Sequence, residues 1–282
     1  MITGKTNVVG IIGNPIEHTL SPLMHNAAFK YLNLNYIYVP FLVLENALSN
    51  SIIGSKALNI KGLNVTIPYK TEVIKYLDSI DRSAELIGAV NTVKFEDNFA
   101  KGFNTDGIGA VKAIEDVSKV KNKNVIILGA GGAARAVAFQ ILLEGAGSLT
   151  IANRTPENAI NIQNDLTEKL NANVKVTDLG KNLEREIFDA DILINTTPVG
   201  MYPNINQSPL IKSDILHKDI IVNDIVYNPL KTRLLKEAEK KGARTISGFK
   251  MLIYQGMESF KIWTGVYPPI EIFENAIKPY ME

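Results

Sequence analysis

Apolar residues occur along this chain in short runs that alternate with segments of helical spacing. In the first third, the runs and alternating segments that predict strands lie at residues 8–12, 36–41 and 62–65. Residues 45–58 carry apolar positions at the spacing of a helix. A helix is also predicted to begin at Ser21 and to run to about Leu32, with Ser21 as its N-cap and a proline in its first turn.

Further along, the alternation becomes more regular. Residues 90–103 predict a hairpin that turns near residues 96–98, and residues 107–117 predict a helix. Later strands are predicted at residues 125–128 and 149–152 and near Val174, Ile192, Ile220 and Thr245. Later helices are predicted at residues 133–143, 156–170, 251–263 and 270–280. No strand is predicted after Gly248.

The pattern predicts an α/β protein with two domains. A chain of 282 residues exceeds a typical single domain. The regular series from Asn124 predicts a doubly wound, Rossmann-type domain with a parallel sheet covered on both faces. We expect an N-terminal α/β domain of residues 1–105, completed by residues 249–282, and a second domain of residues 106–248. The C-terminal helices are expected to pack back on the first domain.

Composition and charge narrow the class of function. The chain has 30 basic and 29 acidic residues, so its formal net charge of +1 gives no field that would attract nucleic acid or a membrane. It contains no cysteine, which excludes disulfides and thiolate chemistry, and its three histidines lack metal-site spacing. The apolar stretch near the N-terminus is too short for a signal sequence or a membrane span. A cytoplasmic protein that acts on a small molecule is therefore expected.

A glycine-rich turn predicts a dinucleotide site. Gly129, Gly131 and Ala134 form a G-x-G-x-x-A pattern after an apolar strand and at the start of a helix, where pyrophosphate can reach the helix N-terminus. The same spacing also occurs in turns that only pack closely. Arg154 follows the next strand, near the position where an NAD-binding chain has an acidic residue. Because a guanidinium pairs well with a 2'-phosphate, NADP is favoured over NAD.

Two charged residues ahead of this turn are candidates for acid/base chemistry. Lys70 ends the segment Asn-Val-Thr-Ile-Pro-Tyr-Lys, in which Asn64 and Thr66 share one face of an extended segment. Asp106 lies in Asn-Thr-Asp-Gly, where it could also serve as a helix N-cap. If the two side chains meet, the carboxylate stabilises the ammonium group and partial desolvation opposes it, which suits proton transfer.

Polar residues at three further places could contact a substrate. Thr19 and Ser21 precede a helix N-terminus, which can hold a carboxylate or can simply be a capped turn. Residues 195–201 end a strand of the predicted Rossmann-type domain, at the edge where ligands bind. Tyr227 and Gln255 are polar positions among apolar neighbours, a pattern that also fits ordinary satisfied core residues.

Five motifs occur in an order that chance does not produce, and on them the chain resembles the shikimate dehydrogenase family, including its shikimate/quinate dehydrogenases. The motifs are Asn-Val-Thr-Ile-Pro-Tyr-Lys ending at Lys70, Gly-Ala-Val-Asn-Thr around Asn91, Asn-Thr-Asp-Gly around Asp106, Gly-Ala-Gly-Gly-Ala from Gly129, and Asn-Arg-Thr around Arg154. The resemblance extends from the Gly-Asn-Pro-Ile loop at Gly13 to Trp263 and so covers nearly the whole chain.

The resemblance implies NADP-dependent, reversible reduction of 3-dehydroshikimate to shikimate in aromatic amino-acid biosynthesis. It implies that Lys70 is the catalytic acid/base and Asp106 its partner, that the first domain binds substrate, and that the second binds NADP. The implied substrate contacts are Thr19, Ser21, Thr66, Asn91, Asp106, Tyr227 and Gln255. The implied cofactor contacts are Gly129, Ala130, Gly131, Gly132 and Ala133 at the pyrophosphate, Asn153, Arg154 and Thr155 at the adenosine phosphate, and Ile225 and Gly248 at the nicotinamide. No metal is implied.

Departures from the family pattern leave two other functions open. Thr19 stands where a serine is usual, which leaves the preference between shikimate and quinate open, and Asn158 stands where a second basic residue is common. Lys250 and Arg233 also depart from the pattern. One alternative is a quinate/shikimate dehydrogenase with broader cofactor use, and the other is a non-catalytic ligand sensor on the same fold. The sequence leaves the choice between a monomer and a homodimer open.

Overall fold

Two six-stranded sheets organise the chain, one in each of two units of this computed structural model, which describes residues 2–281. The first unit contains the chain up to Thr105 together with Gln255–Tyr280, and the second contains Asp106–Tyr254. The strands are β1 (Asn7–Gly13), β2 (Tyr36–Leu42), β3 (Gly62–Val65), β4 (Ser79–Ile80), β5 (Thr92–Glu96), β6 (Phe99–Phe103), β7 (Asn124–Leu128), β8 (Ser148–Ala152), β9 (Val174–Thr177), β10 (Ile192–Asn195), β11 (Ile221–Asp224) and β12 (Arg244–Ser247).

Ten α-helices accompany these strands. They are α1 (Ser21–Tyr31), α2 (Leu48–Ala57), α3 (Arg82–Ile87), α4 (Asp106–Glu115), α5 (Gly132–Leu143), α6 (Pro156–Leu170), α7 (Lys181–Phe188), α8 (Arg233–Lys240), α9 (Gly248–Thr264) and α10 (Ile270–Ile277) within the described residues. None of the helices in this part of the chain is long and apolar enough to cross a membrane.

The sheet of the first unit is mixed. Its strand order is β2-β1-β3-β5-β6-β4, with β1 parallel to both β2 and β3 and with β5 antiparallel to β3 and β6. The predicted hairpin is confirmed as β5 and β6. Its two turn residues, Asp97 and Asn98, have φ values of 48° and 64°, which is the left-handed backbone that two-residue hairpin turns favour.

The sheet of the second unit is entirely parallel, which confirms the predicted doubly wound layout. Its strand order is β12-β11-β10-β7-β8-β9. The chain order reverses between β7 and β10, which lie side by side. In open parallel sheets a ligand binds beyond the carboxyl ends of the strands at such a reversal. This edge therefore carries the segments that begin at Gly129 and Thr196.

The C-terminal helices pack on the first unit, as predicted, through a cluster of aromatic rings. The ring of His25 on α1 stacks on Tyr38 with centroids 4.5 Å apart and lies 5.2 Å from Phe273 on α10. Trp263 Nε1 on α9 donates a hydrogen bond of 3.0 Å to the Val93 carbonyl oxygen. A Cβ atom at Gly62 would lie 2.1 Å from Trp263 Nε1, so the absence of a side chain at Gly62 makes room for the indole.

Two sequence expectations differ from the structure. Ser21 is the first residue of α1, not its N-cap, because Leu20 occupies the cap position and no side chain caps this helix. The sequence pattern did not predict α3, α7 and α8. Each of these helices has eight residues or fewer, and α7 buries only Leu183 and Ile187, so the apolar period is too brief to detect.

The buried histidine should make the first unit sensitive to acid. His25 is 1% exposed, and burial lowers its pKa from 6.5 to about 3. The unfolded chain therefore takes up a proton below about pH 6.5 that the folded chain does not, and the free energy of unfolding falls by up to about 1.4 kcal/mol per pH unit. In urea titrations followed by the fluorescence of Trp263, the sole tryptophan, we expect His25→Phe to lose less stability than the parent protein as the pH falls.

Removal of the exposed His18 gives the matched control. The variant His18→Gln should follow the parent pH profile. If the profile of His25→Phe runs parallel to that of the parent, the charge of His25 does not control the acid response.

Candidate active site

Lys70 lies in the turn that follows β3 and is partly buried. Its carbonyl oxygen accepts a hydrogen bond of 2.7 Å from the Val90 N–H, which ties the turn to the segment before β5. The preceding Tyr69 is 1% exposed and its hydroxyl donates to the Val43 carbonyl oxygen at 2.7 Å. The main chain that carries Lys70 is thus held from both sides, which fixes where its side chain starts.

Thr66 lies in the same turn and packs against the end of β1. Its N–H donates to the Ile12 carbonyl oxygen at 3.0 Å, and its carbonyl oxygen accepts from the Tyr69 N–H at 3.0 Å. A Cβ atom at Gly13 would lie 2.4 Å from Thr66 Cγ2. The glycine therefore lets Thr66 approach the strand closely.

Asn91 is 3% exposed and directly precedes β5. Its side-chain oxygen accepts from the Thr105 N–H at 2.8 Å, and its Nδ2 donates to Thr105 Oγ1 at 2.9 Å. Its carbonyl oxygen accepts from the Val65 N–H at 2.9 Å, which joins it to the end of β3. The predicted substrate residue Asn91 is consequently locked to Thr105, the neighbour of Asp106 in the chain.

Asp106 is the first residue of α4, where the partial positive charge of a helix N-terminus favours a carboxylate. Gly107 follows it, and a Cβ atom there would lie 2.6 Å from the Ala136 carbonyl oxygen, so the glycine allows α4 to pack closely on α5. Asp106 belongs to the second unit and Lys70 to the first. Their predicted pairing stays a prediction.

Thr19 and Ser21 lie at the start of α1. Thr19 Oγ1 accepts from the Ser21 N–H at 3.4 Å. Ser21 is buried, with 8% of its surface exposed. In the same unit, the Tyr38 hydroxyl donates to Asn64 Oδ1 at 2.8 Å, and burial raises the pKa of Tyr38 and so keeps this hydroxyl protonated.

The glycine-rich turn between β7 and α5 has the shape of a phosphate cradle. Gly129 has a φ of 105°, and a Cβ atom there would lie 2.7 Å from Thr196 Oγ1. Gly131 occupies the N-cap position of α5 with extended backbone, and no side chain caps this helix. Cβ atoms at Gly131 and Gly132 would meet only open space. A pyrophosphate can therefore approach the N–H groups of the first turn of α5 directly.

The segment after β8 carries the predicted adenosine contacts. Asn153 Nδ2 donates to the Thr155 carbonyl oxygen at 2.8 Å, which folds the segment over just before α6. Arg154, between them, is exposed. A guanidinium group in this position has room to meet a phosphate.

A second group of residues lies at the carboxyl ends of β11 and β12. A Cβ atom at Gly248 would lie 2.1 Å from the Ile225 carbonyl oxygen, so only glycine lets these two predicted nicotinamide contacts pack together. Tyr227 is 39% exposed, and burial of part of its ring raises the pKa of its hydroxyl. Gln255, the other predicted ring contact, lies on α9 in the first unit and is partly buried.

Sequence reasoning missed a buried carboxylate in this group. Asp224 is 0% exposed at the end of β11. It accepts from Asn195 Nδ2 at 2.9 Å, the Val226 N–H at 3.1 Å and Thr232 Oγ1 at 2.6 Å. It therefore joins the end of β10, its own loop and the N-cap of α8. The sequence signal that could have revealed Asp224 is an acidic residue at the end of an apolar strand.

Two residues that depart from the family pattern have surface partners in the second unit. Arg233 Nε lies 2.7 Å from Glu237 Oε1 on α8, and Lys250 Nζ lies 3.8 Å from Asp116 Oδ2. Neither contact involves a predicted site residue. Across residues 2–281, no group of three or more histidine, aspartate or glutamate side chains could hold a metal ion.

The parallel sheet and the open glycine turn of the second unit define a dinucleotide-binding protein of the Rossmann type. Family models match residues 11–93 as "Shikimate dehydrogenase substrate binding domain", residues 111–214 as "Shikimate / quinate 5-dehydrogenase" and residues 248–278 as "Shikimate 5'-dehydrogenase C-terminal domain". The shikimate dehydrogenase (NADP(+)) of Methanocaldococcus jannaschii is 54% identical over 278 residues, which are 98% of each chain. The chain belongs to the shikimate dehydrogenase family.

Solved structures agree with this assignment. A crystal structure of a shikimate dehydrogenase in complex with NADP+ has a TM-score of 0.95 at 54% identity and covers 100% of this chain and 98% of its own. The shikimate 5-dehydrogenase of Listeria monocytogenes, in complex with shikimate and NAD, has a TM-score of 0.94 at 39% identity and covers 98% of both chains.

The buried Asp224 should give the second unit a distinct pH response. Burial raises the pKa of this carboxyl above 3.8, although its hydrogen bonds oppose the shift. Its contribution to the free energy of unfolding is therefore fully present below about pH 4 and is lost as the pH rises through the raised pKa. We expect the stability of Asp224→Asn relative to the parent to increase from about pH 4 to about pH 7, as measured by urea unfolding and circular dichroism. A difference that is constant with pH would contradict this assignment.

Proposed function

We propose that this chain is an NADP-dependent shikimate dehydrogenase that catalyses the reversible reduction of 3-dehydroshikimate to shikimate in aromatic amino-acid biosynthesis. The observation that carries the proposal is 54% identity, over 98% of each chain, to a relative that bears this name. The open cradle at Gly131 and Gly132 supports it, because the turn fits the pyrophosphate of NADP. We also propose a cytoplasmic location, because the reaction uses a water-soluble dinucleotide and a small acid.

In this proposal most of the substrate contacts come from the first unit, and two of them, Asp106 and Tyr227, belong to the second. The hydroxyls of Thr19 and Ser21 hold the substrate carboxylate. The residues that contact the ring substituents are Thr66, Asn91, Tyr227, Gln255 and Asp106. The buried hydrogen bonds of Asn91 support its role, because a side chain that is already fixed loses little entropy on binding.

The cofactor contacts come from the second unit. The N–H groups from Gly129 to Ala133, through Ala130, Gly131 and Gly132, hold the pyrophosphate. The residues Asn153, Arg154 and Thr155 hold the adenosine phosphate. Ile225 and Gly248 border the nicotinamide. Bound NADPH supplies the hydride.

Lys70 is the proposed general acid. Hydride transfer to the ketone carbon builds negative charge on the ketone oxygen, which a positioned ammonium group stabilises and then protonates. Asp106 accepts a hydrogen bond from a ring hydroxyl of the substrate. In the reverse direction, neutral Lys70 accepts the hydroxyl proton as hydride leaves.

A spectrophotometric assay tests the function directly. Purified protein with shikimate and NADP+ should produce absorbance at the reduced-nicotinamide band. A protein that binds shikimate without any such change would be a ligand sensor.

A quinate/shikimate dehydrogenase with broad cofactor use is a second candidate. One observation favours it, because the Listeria relative at 39% identity forms a complex with shikimate and NAD. Turnover of shikimate and quinate, each measured with NADP+ and with NAD+, separates the candidates. Comparable kcat/KM values for both acids would favour the broader enzyme.

Lys70→Ala should abolish most turnover. We expect kcat to fall by about 10²–10⁴, the usual loss when a general acid is removed, while the Kd for NADPH stays within about twofold of the parent. Stopped-flow turnover and fluorescence titration measure the two quantities. The exposed Lys75, five residues away, gives the control Lys75→Ala. A Lys70→Ala enzyme within a few-fold of the parent would remove Lys70 from the mechanism.

Arg154→Ala should weaken NADPH binding selectively. Only NADPH carries the 2'-phosphate, and one charge-assisted hydrogen bond corresponds to about 10- to 100-fold in affinity. We expect the KM for NADPH to rise by that factor and the KM for NADH to change by less than about twofold. The exposed Arg185 on α7 supplies the control Arg185→Ala. Equal losses for both cofactors would refute the role of Arg154.

A further inference from the structure

We infer that Ser259 on α9 is a positioning residue for the substrate site, because its hydroxyl closes a buried ring of hydrogen bonds that fixes the amide of Asn91. The inference rests on the proposed function, in which Asn91 and Gln255 contact the substrate. We call the four side chains of Asn91, Thr92, Thr105 and Ser259 the Asn91 ring. All four lie in the first unit.

The distances around the Asn91 ring form a closed circuit. Asn91 Nδ2 lies 2.9 Å from Thr105 Oγ1, which lies 3.3 Å from Ser259 Oγ. Ser259 Oγ lies 2.7 Å from Thr92 Oγ1, which lies 3.0 Å from Asn91 Oδ1. Each of the four residues is at most 3% exposed. In a dry interior the groups must satisfy one another.

The donors and acceptors of the ring allow a circuit that runs in one direction. The Thr105 N–H can only donate, so the side-chain atom of Asn91 that faces it at 2.8 Å is the oxygen, and the other is the NH2 group. In this circuit Asn91 Nδ2 donates to Thr105, Thr105 to Ser259, Ser259 to Thr92, and Thr92 back to Asn91 Oδ1. Thr105 Oγ1 also lies 3.2 Å from Asn91 Oδ1, so the Thr105 hydroxyl contacts both polar atoms of the Asn91 amide.

Asn64 supports the ring from the side. The Tyr38 hydroxyl donates to Asn64 Oδ1 at 2.8 Å, which turns the Asn64 NH2 group towards the ring. Asn64 Nδ2 lies 3.0 Å from Ser259 Oγ and 3.1 Å from Thr92 Oγ1.

Ser259 connects α9 to this network. Its hydroxyl oxygen lies 3.1 Å from the carbonyl oxygen of Gln255, one helical turn earlier. In the circuit its one proton goes to Thr92, at 2.7 Å, the shorter of these two contacts. Loss of the Ser259 hydroxyl would open the ring and leave the Asn91 amide less firmly oriented. The proposed substrate contacts Asn91, just before β5, and Gln255, on α9, would then lose their fixed relation.

The variants Ser259→Ala and Thr92→Val each open the ring with little change of volume. We expect each to raise the Kd and the KM for shikimate by about tenfold, the order of one hydrogen bond, with the KM for NADP+ within about twofold of the parent. Thr92→Ser keeps the hydroxyl and should stay within about threefold of the parent. Calorimetric titration of shikimate without cofactor and steady-state kinetics supply these values.

Ser55→Ala is the matched control. Ser55 is 6% exposed, and its hydroxyl donates to the Ser51 carbonyl oxygen at 2.7 Å, but it lies on α2 outside the ring. It should leave the KM for shikimate unchanged. If Ser259→Ala raises that KM no more than Ser55→Ala does, Ser259 has no positioning role. Should Ser259→Ala fail to fold, the comparison of Thr92→Val with Thr92→Ser carries the test.

The double variant Ser259→Ala/Thr92→Val tests whether the ring acts as a unit. Because either change alone opens the ring, the double variant should raise the Kd for shikimate by about the same tenfold, whereas independent contacts would multiply to about 100-fold. Multiplication of the two effects would overturn the inference.

A parent protein that neither binds nor turns over shikimate would refute the proposed function and leave the ring testable by stability. The shifts of Tm caused by Ser259→Ala and Thr92→Val should then be less than additive in the double variant, whereas those of Ser259→Ala and Ser55→Ala should be additive. This result would support the ring. Additive shifts for both pairs would overturn it.

Discussion

The first unit depends on the rule that a buried amide must have its hydrogen bonds made. Asn64 lies on β3 and Asn91 directly before β5, and the two residues are 7% and 3% exposed. Together their amides bond to the hydroxyls of Tyr38, Thr92 and Thr105. An unpaired buried polar group costs about 1–3 kcal/mol, so alternative arrangements of these strands and of α9 are disfavoured. The proposed substrate contact Asn91 is positioned by these hydrogen bonds.

In the second unit, the candidate phosphate site is formed by backbone N–H groups in place of side chains. A phosphate needs several N–H groups that point into open space, and an uncapped helix start supplies them. The open turn at Gly131 and Gly132 meets that need, and Gly129, with positive φ, brings the turn close to Thr196. At Gly248 the absence of a side chain allows close packing against Ile225. In the proposed function the pyrophosphate therefore meets main chain in place of side chains.

The sequence predicted the elements with a long, clear period. Helix α6 and strand β3 have the expected bounds, and the hairpin turns within the expected residues 96–98, because charge, apolar spacing and turn residues agree there. The shorter helices α3, α7 and α8 were not predicted, since their few buried residues give no clear period. Ser21 was wrongly expected to cap α1, because Leu20 takes the cap position and Ser21 is the first residue of the helix.

The site was predictable only in part. The order of the motifs identified the candidate residues, and the local geometry explains why the residue types of Asn91, Gly129 and Gly248 occur at these positions. The pattern of apolar positions could not reveal Thr92, Thr105 or Ser259, because a buried hydroxyl looks like any other residue on a strand or helix. Asp224 was also missed, since its partners Asn195 and Thr232 are distant in sequence. Hydrogen-bond partners of this kind become visible only in three dimensions.

A crystal structure of the protein with shikimate and NADP+ would show whether prearranged polar side chains hold one substrate molecule for proton and hydride transfer. We expect the substrate carboxylate on the hydroxyls of Thr19 and Ser21, with Lys70 Nζ and the Asp106 carboxylate both about 3 Å from ring hydroxyls. Shikimate bound elsewhere, or bound without contact to Lys70 and Asp106, would refute this arrangement.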